Sequence, residues 1–272
     1  MSVDTIIVPA DTDTDAGVWR RFPSRVYTFC LVEVQKLRHD RTELLTRAVQ
    51  PVLWLLIYGE TFNRIHAIPT PDNQPYLEFL TPGIIAQSGL FVAIFYGIQI
   101  IWERDAGVLT KLLVTPTPRS ALILGKSFAA GIRAMAQVVV VLVLAAIIGV
   151  NLSSNPLHII GSFVVVLLGA AFFSCLSMTV AGVVLKRDRL MGIGQMITMP
   201  LFFASNALYP VSIMPGWLRV LSRINPLSYE VDALRGMLTG VPAHVGVDFA
   251  VLIGWVIVGV VASSSLVSRL AR

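Results

Sequence analysis

The segment ERDAGVLTKLLVTPTPRSALILGKSF, from Glu103 to Phe128, is the longest charged and helix-prone stretch in an otherwise apolar chain. Long apolar runs flank it on both sides. Because ionised side chains are costly in hydrocarbon, a charged segment of this length is expected to lie in water. The pattern predicts membrane-embedded helices on either side of an aqueous segment that meets something outside the membrane.

Composition supports the same class of protein. The chain has 272 residues, of which 55% are hydrophobic and 14% are charged, and its mean hydropathy is +0.75. A soluble domain has about 25% charged residues, so these values predict an all-α polytopic membrane protein. No stretch has the composition of a separate soluble catalytic domain. Arg outnumbers Lys by 17 to 4, which fits a GC-rich genome and a bacterial plasma (inner) membrane.

The first 42 residues differ from the rest. Residues 1–23 are polar, contain the run DTDTD and are predicted to be a disordered cytoplasmic tail. They have no apolar core of a cleavable signal peptide, so the chain is expected to insert through its own spans. Residues 24–42 have helical amphipathic spacing, which favours an interfacial helix on the inner membrane surface. A short helix packed on the bundle is the alternative.

Six apolar segments are long enough, or nearly so, to cross a hydrocarbon core that needs about 20 helical residues. The first is the weakest, because only residues 48–59 are free of charge. The segment 210–240 is too polar to span and too apolar for a free loop. It predicts one or two short re-entrant helices, broken at Pro215 and Pro226, at the outer interface. The domain 43–272 therefore has six predicted spans, at residues 44–62, 80–101, 128–150, 159–185, 190–209 and 249–267.

The distribution of basic residues predicts the orientation. With the N-terminus inside, 17 of the 21 Lys and Arg residues lie on one side of the membrane and four on the other. The positive-inside rule then places both termini and the segment 103–128 in the cytoplasm. The basic charge is a topology signal, and nucleic-acid binding has no remaining support.

Motifs for catalysis and metal binding are missing from the sequence. Gly125-Lys126-Ser127 resembles the end of a phosphate-binding loop, but position 120 is Ser where that loop needs Gly. The four His residues are scattered, without metal-ligand spacing. Cys30 and Cys175 are predicted to be free thiols. The sequence therefore predicts no metal site and no enzyme.

Polar and aromatic side chains within the spans are the candidates for a substrate cavity. An aromatic surface with a few amides suits a large amphiphilic ligand. Interhelical hydrogen bonding and ring packing remain the alternatives for each residue. Arg133 is expected to snorkel towards the cytoplasmic end of its span. The predicted cavity residues, on spans two and five, are Gln87, Phe91, Phe95, Phe202, Phe203 and Asn206.

Two segments carry a family resemblance. The stretch 103–126 resembles the cytoplasmic loop of type-2 ABC exporter permeases, whose pattern is roughly E-R-E-x-G-T-x-x-x-L-L-x-T-P, then a basic residue and L-x-G-K. Asp105 stands where the family usually has Glu, and Val108 where it has Thr. The stretch 208–238 is similar to the family's segment between spans five and six, through residues that include Trp217, Asn225, Pro226, Tyr229 and Arg235. The chain looks most like the daunorubicin-exporter-like branch, with polysaccharide exporter permeases as relatives.

The resemblance implies an exporter subunit for an amphiphilic drug, lipid or glycoconjugate, embedded among membrane lipids. It implies pairing with a second permease, identical or homologous, and with two ABC-type ATPase subunits, which would hold ATP and Mg; this chain would hold no cofactor. It also implies that residues 103–114 form a coupling helix seated in a groove of the ATPase, followed at 115–126 by the return to the membrane. The predicted coupling residues are Glu103, Arg104, Asp105, Gly107, Leu109, Leu112, Leu113 and Pro116.

Two other classes of function remain to be distinguished. A stand-alone secondary transporter would need acidic groups in the membrane for ion coupling, and the six predicted spans have none near their centres. A membrane enzyme or lipid scaffold would need clustered His, Asp or Ser residues near one interface, and the sequence has no such cluster.

Overall fold

The computed structural model describes residues 41–65, 68–70, 74–109 and 119–270, and within these ranges the chain is helical with short turns and has no strand. The predicted tail and nearly all of the predicted interfacial helix lie outside the described residues. In chain order the described helices are α1 (Arg41–Leu53), a π-helical segment (Trp54–Gly59), α2 (Glu60–Ile65), α3 (Tyr76–Asp105), α4 (Arg119–Ile148), α5 (Pro156–Val184), α6 (Arg187–Phe203), a 3₁₀ turn (Val211–Ile213), α7 (Gly216–Ile224), α8 (Pro226–Leu238) and α9 (Val245–Leu270).

Four of the described helices, α3, α4, α5 and α9, are long and apolar enough to cross a membrane. They correspond to the predicted spans two, three, four and six. The helices at predicted spans one and five are shorter. The first is divided by the π-helical segment, and the second, α6, has 17 residues and ends soon after Pro200. The all-α class is confirmed.

The long helices extend beyond the apolar runs that predicted them. The second predicted span ends at residue 101, but α3 continues to Asp105. The third was predicted to begin at residue 128, but α4 begins at Arg119. Arg119 to Lys126 therefore belong to the helix of span three. Apolar content reports the part of a helix that lies in lipid, whereas the helix continues as far as its backbone hydrogen bonds do.

Helices α3 and α5 form the centre of the bundle. α5 packs on α3, α4 and α9. In its most apolar window α3 is 83% buried, whereas α9 is 22% buried and lies at the periphery. Gly97 permits the close approach of α3 to α5, because a Cβ there would lie 2.5 Å from Cβ of Ser177. Ser177 Oγ also donates a 2.7 Å hydrogen bond to Ile94 O across this contact.

The predicted breaks at Pro215 and Pro226 coincide with the starts of α7 and α8. Pro226 is the first residue of α8, where its missing N–H has no cost. Asn225 caps the helix, since its Oδ1 accepts a 3.0 Å hydrogen bond from Leu227 N. Helix α8 packs on α3, α5 and α9. It is therefore part of the core rather than a surface segment.

Candidate functional site

The charged end of the bundle, defined here as residues 103–109, 119–126 and 185–189, is where α3 and α5 end and α4 and α6 begin. Lys126 Nζ, on α4, donates a 2.6 Å hydrogen bond to Glu103 Oε1, in the last turn of α3. The Lys126 side chain is 9% exposed and that of Glu103 is 22% exposed. Glu103 was predicted to be a charged contact for a partner. Its carboxylate joins two helices of this chain, and the contact with a partner stays a prediction.

Arg104 links the same end of α3 to α5. Its Nη1 donates a 3.1 Å hydrogen bond to the carbonyl of Leu185, and its Nη2 lies 2.8 Å from Asp105 Oδ1. Leu185 ends α5 in the left-handed conformation, with φ of 56°, a common way to end a helix. The ends of α3, α4 and α5 are therefore joined through the adjacent residues Glu103 and Arg104.

The predicted coupling helix from 103 to 114 is interrupted. Helix α3 ends at Asp105, and the chain turns at Ala106 and Gly107 before it is helical again at Val108 and Leu109. Gly107 has φ of +71°, a conformation that ends an α-helix and that glycine adopts without a steric penalty. Leu109 is fully buried. The predicted coupling residues Leu112, Leu113 and Pro116 lie outside the described residues.

Three of the predicted cavity residues do line one cavity. Gln87, Phe91 and Phe95 on α3 line a space of about 240 Å³, together with residues of α1 and Gln137 of α4. Gln87 and Gln137 are 2% and 1% exposed, and the Nε2 atom of each lacks a hydrogen-bond partner among the described residues. The guanidinium of Arg47 lies 5.5 Å from the centroid of the Phe95 ring. This polar–aromatic cavity brings amide side chains, a guanidinium and aromatic rings together.

The other three predicted cavity residues lie elsewhere. Phe202 is fully buried, with its ring 5.6 Å from that of Trp54. Phe203 is 45% exposed. Asn206 donates a 2.6 Å hydrogen bond to Asp232 on α8. These three residues, on α6 and the turn after it, are not among those that line the cavity of Gln87, Phe91 and Phe95.

The residues predicted for the re-entrant segment have different roles. Trp217 on α7 is 67% exposed. Asn225 and Pro226 form the junction between α7 and α8, and the hydroxyl of Tyr229 spans this junction by donating a 2.6 Å hydrogen bond to Arg223 O. Arg235 is buried, and its guanidinium carbon lies 3.9 Å from the centroid of the Phe79 ring.

Two buried charged residues differ from the sequence expectations. Arg133 was expected to reach the aqueous interface, but it is 7% exposed, and its guanidinium lies 4.8 Å from the ring centroid of Tyr96. Glu230 on α8 is fully buried, and neither of its carboxylate oxygens has a hydrogen-bond partner among the described residues. The sequence search for acidic groups covered only the six spans, so it missed a carboxylate on a helix that packs between them.

Comparison with known sequences adds to this geometry. The sequence model of the ABC-2 type transporter family matches residues 26–239. The putative transport permease ycf38 of Cyanophora paradoxa is 28% identical over 203 residues, which cover 74% of this chain and 69% of the relative.

Two further relatives carry more specific names. The daunorubicin resistance ABC transporter permease protein DrrB1 of Streptomyces coeruleorubidus is 23% identical over 203 residues, covering 75% of this chain and 71% of the relative. Nodulation protein J of Rhizobium meliloti (strain 1021) is 26% identical over 229 residues, covering 83% of this chain and 86% of the relative.

Proposed function

This chain belongs to the ABC-2 type transporter family, and we propose that as a membrane permease subunit it exports an amphiphilic cargo with energy from ATP hydrolysed on a separate subunit. The family implies an ABC ATPase as partner. In the proposed complex, two ATPase subunits bind ATP and Mg, and two permeases, identical or homologous, enclose the translocation path. This chain itself hydrolyses nothing.

The proposed layout has six spans, with both termini in the cytoplasm of a bacterial cell. Four spans are α3, α4, α5 and α9. Residues 41–65 are helical throughout and extend about 37 Å at 1.5 Å per residue, which exceeds a hydrocarbon core of about 30 Å. Helix α6 extends about 26 Å, and a short helix can cross if the bilayer thins locally. These two helices are the proposed spans one and five.

The observation that carries the proposal is the joining of three helix ends at the charged end. The Glu103–Lys126 pair ties α3 to α4, and the hydrogen bond from Arg104 to Leu185 ties α3 to α5. A segment between α3 and α4 that is moved by the closing ATPase would therefore displace three helices together. Packed helices switch between discrete arrangements rather than bending continuously, so such a displacement is suited to opening and closing a path.

The cargo class is proposed from the polar–aromatic cavity. The rings of Phe91 and Phe95 provide apolar surface, and the amides of Gln87 and Gln137 provide directed polar groups. This combination suits an amphiphilic drug, lipid or glycoconjugate. The name of one relative, which refers to daunorubicin resistance, fits a cargo of this kind.

The first experiment breaks and restores the Glu103–Lys126 pair. In the full-length chain assembled with its ATPase, we expect Glu103→Ala to reduce export and cargo-stimulated ATP hydrolysis by about 5- to 150-fold, the range of a coupling free energy of about 1–3 kcal/mol. The double variant Glu103→Lys/Lys126→Glu is expected to recover most of both activities, because the ion pair re-forms with its charges exchanged.

The matched control is another Glu–basic pair. Glu60 and Arg64 form a 3.0 Å ion pair on α2, with side chains 40% and 77% exposed. Exposed pairs contribute about 0–1 kcal/mol, so Glu60→Ala should leave export unchanged. Normal export by a well-inserted Glu103→Ala variant would contradict the coupling role.

A stand-alone, ion-coupled transporter is the alternative, and Glu230 is the observation that favours it. Its carboxylate is fully buried on α8, and intramembrane acidic groups commonly relay protons in such transporters. Uncouplers distinguish the two functions. Export by the proposed complex continues when the proton gradient is collapsed at constant ATP, whereas ion-coupled export stops.

A further inference from the structure

A second cavity lies at the opposite end of the bundle from the charged end, and we propose that it binds a primary ammonium group. The cavity has a volume of about 280 Å³ and is lined by Phe79 near the start of α3, Asn206 after α6, Asp232 and Arg235 of α8, and His244 and Asp248 at the start of α9. Phe79 and Glu103 are about 36 Å apart along α3. The cavity is therefore separate from the coupling residues, and it shares no lining residue with the polar–aromatic cavity.

Two buried side chains that line this cavity each have an acceptor atom without a partner among the described residues. Asn206 is 3% exposed and Asp248 is 6% exposed. Asn206 Oδ1 and Asp248 Oδ2 accept no hydrogen bond from the residues that the structure describes. A buried polar atom without a partner is costly, and a buried carboxylate oxygen is more so. Both atoms require a donor.

The orientation of the Asn206 amide is fixed by its neighbour. Its Nδ2 donates a 2.6 Å hydrogen bond to Asp232 Oδ1. If the amide were rotated by 180°, Asn206 Oδ1 would face Asp232 Oδ1, and both atoms are acceptors. The atom without a hydrogen-bond partner is therefore the amide oxygen. A ligand at this position must therefore donate, and a ligand that can only accept is excluded.

The charges in the cavity call for a cation. Arg235 is already engaged: its Nη1 lies 3.3 Å from Asp232 Oδ1, and its Nη2 donates a 3.0 Å hydrogen bond to Asn206 O. Arg235 thus balances Asp232, and the described cavity lining has no second Lys or Arg to balance Asp248; His244 is its other basic side chain. Buried charges are stable only when they are paired.

The side chains favour an organic cation over a metal ion. Within the described ranges, no group of three or more His, Cys, Asp or Glu residues could hold a metal. A primary ammonium group has three N–H donors and one positive charge, so it can donate to a carboxylate or amide oxygen and balance the charge of Asp248. The volume equals that of about nine waters at roughly 30 Å³ each, which leaves room for a short carbon tail.

The test is a calorimetric titration of the full-length chain in phosphatidylcholine nanodiscs, with empty nanodiscs subtracted. The probe is n-butylammonium, and the matched neutral probe is n-butanol. We expect butylammonium to bind and butanol not to bind. Butyltrimethylammonium keeps the charge but has no N–H donor, and we expect it to bind at least about tenfold more weakly, because charge-assisted hydrogen bonds are the strong ones.

Variants identify the residue. Asp248→Asn keeps the shape of the side chain and removes its charge, so butylammonium affinity should fall at least about tenfold. Glu78→Gln removes a carboxylate at the same end of the bundle that hydrogen bonds Asn151 and does not line the cavity; its affinity should be unchanged. No binding to the wild type indicates a water-filled cavity only and overturns the proposal. Equal binding by Asp248→Asn, or equal binding of butanol, also overturns it.

A last arm identifies the source of the amine. Phosphatidylcholine has no N–H group, so it cannot occupy the site as proposed. If the natural ligand is a lipid headgroup, adding phosphatidylethanolamine to the nanodiscs weakens butylammonium binding by competition. If the ligand is a soluble amine, the added lipid has no effect, and either result supports the site. The measurement uses the permease alone, so its outcome does not depend on ATP-driven export.

Discussion

Glu230 and Gly169 define a contact that tolerates no extra atom. The carboxylate of Glu230, on α8, lies against the backbone of α5 at Gly169, and a Cβ at position 169 would be 2.1 Å from Oε2 and 2.3 Å from Cδ. Gly89 on α3 is also near, since its Cβ would lie 3.8 Å from Oε1. The glycines on two central helices thus leave space for one buried carboxyl group, and the fit depends on both partners.

We predict that Gly169→Ala destabilises the protein by about 1–3 kcal/mol, the cost of overpacking a core. Replacing Glu230 with Ala in the same chain should recover part of this loss, because the clash disappears. The measurement is unfolding of the purified protein in detergent. Gly192→Ala is the control, since that glycine lies within α6 with nothing near its Cβ position. Equal effects at 169 and 192 would contradict the close contact.

At the scale of elements, the sequence Asn-Pro starts two helices in different settings. Asn155 caps α5 by accepting a 3.0 Å hydrogen bond from Leu157 N, in an exposed position. Asn225 caps α8 through the same geometry. In addition, Asn225 Nδ2 donates a 2.6 Å hydrogen bond to Leu201 O in α6. The Asn225 side chain therefore caps α8 and also bonds the end of α6 to the N-terminus of α8.

This difference predicts unequal costs for the same substitution. Asn155→Ala should cost about 1 kcal/mol, the usual value of an N-cap. Asn225→Ala should cost about 1–3 kcal/mol more, because it also leaves the Leu201 carbonyl without its donor. Asn225→Asp keeps the cap but sets a buried carboxylate oxygen against the Leu201 carbonyl, so it should cost more than Asn155→Ala even though the cap is retained. Unfolding in detergent measures all three, and equal losses for the two Ala variants would argue against the link to α6.

Signals from neighbouring residues predicted the start of α8 better than they predicted the end of α3 at the charged end. Asn favours the N-cap position and Pro favours the first helical position, so Asn225 and Pro226 were enough to predict the start of α8. The helix breaks after Asp105 because Gly107 adopts a positive φ, and this backbone angle is seen only in the structure. The sequence marked Glu103 as charged, but its partner Lys126 lies 23 residues away. No helical or strand period relates these two positions.

For the whole molecule, the placement of the predicted cavity residues depends on packing that no local pattern reports. Gln87, Phe91 and Phe95 are four residues apart on one helix, so they lie on one face and line the same cavity. The prediction paired them with residues of span five, because it assumed that spans two and five are neighbours. It did not include α1. Helix α1 borders the polar–aromatic cavity through Arg47. At the level of the sequence, the charge at this position marked only the limit of the apolar part of span one.

The number of membrane crossings is a property of the whole molecule, and labelling of single cysteines measures it. In a background with Cys30 and Cys175 replaced by Ala, cysteines at Asn151, Lys186 and Trp217 would be treated with a membrane-impermeant maleimide on whole cells. All three positions are exposed. Six spans place 151 and 217 outside and 186 inside, so we expect labelling of the first and third only.

A four-span protein would give a different pattern, which makes the experiment decisive. If α6 did not cross, position 217 would lie on the same side as position 186, and the two would label alike. Thr46, which is exposed in α1, tests the first span in the same way, because it lies inside only if residues 41–65 cross. We expect Thr46→Cys to be labelled only after the cells are opened, since the positive-inside rule assigns the basic residues before it to the cytoplasm. Labelling of Thr46→Cys on intact cells would remove span one from the proposed layout.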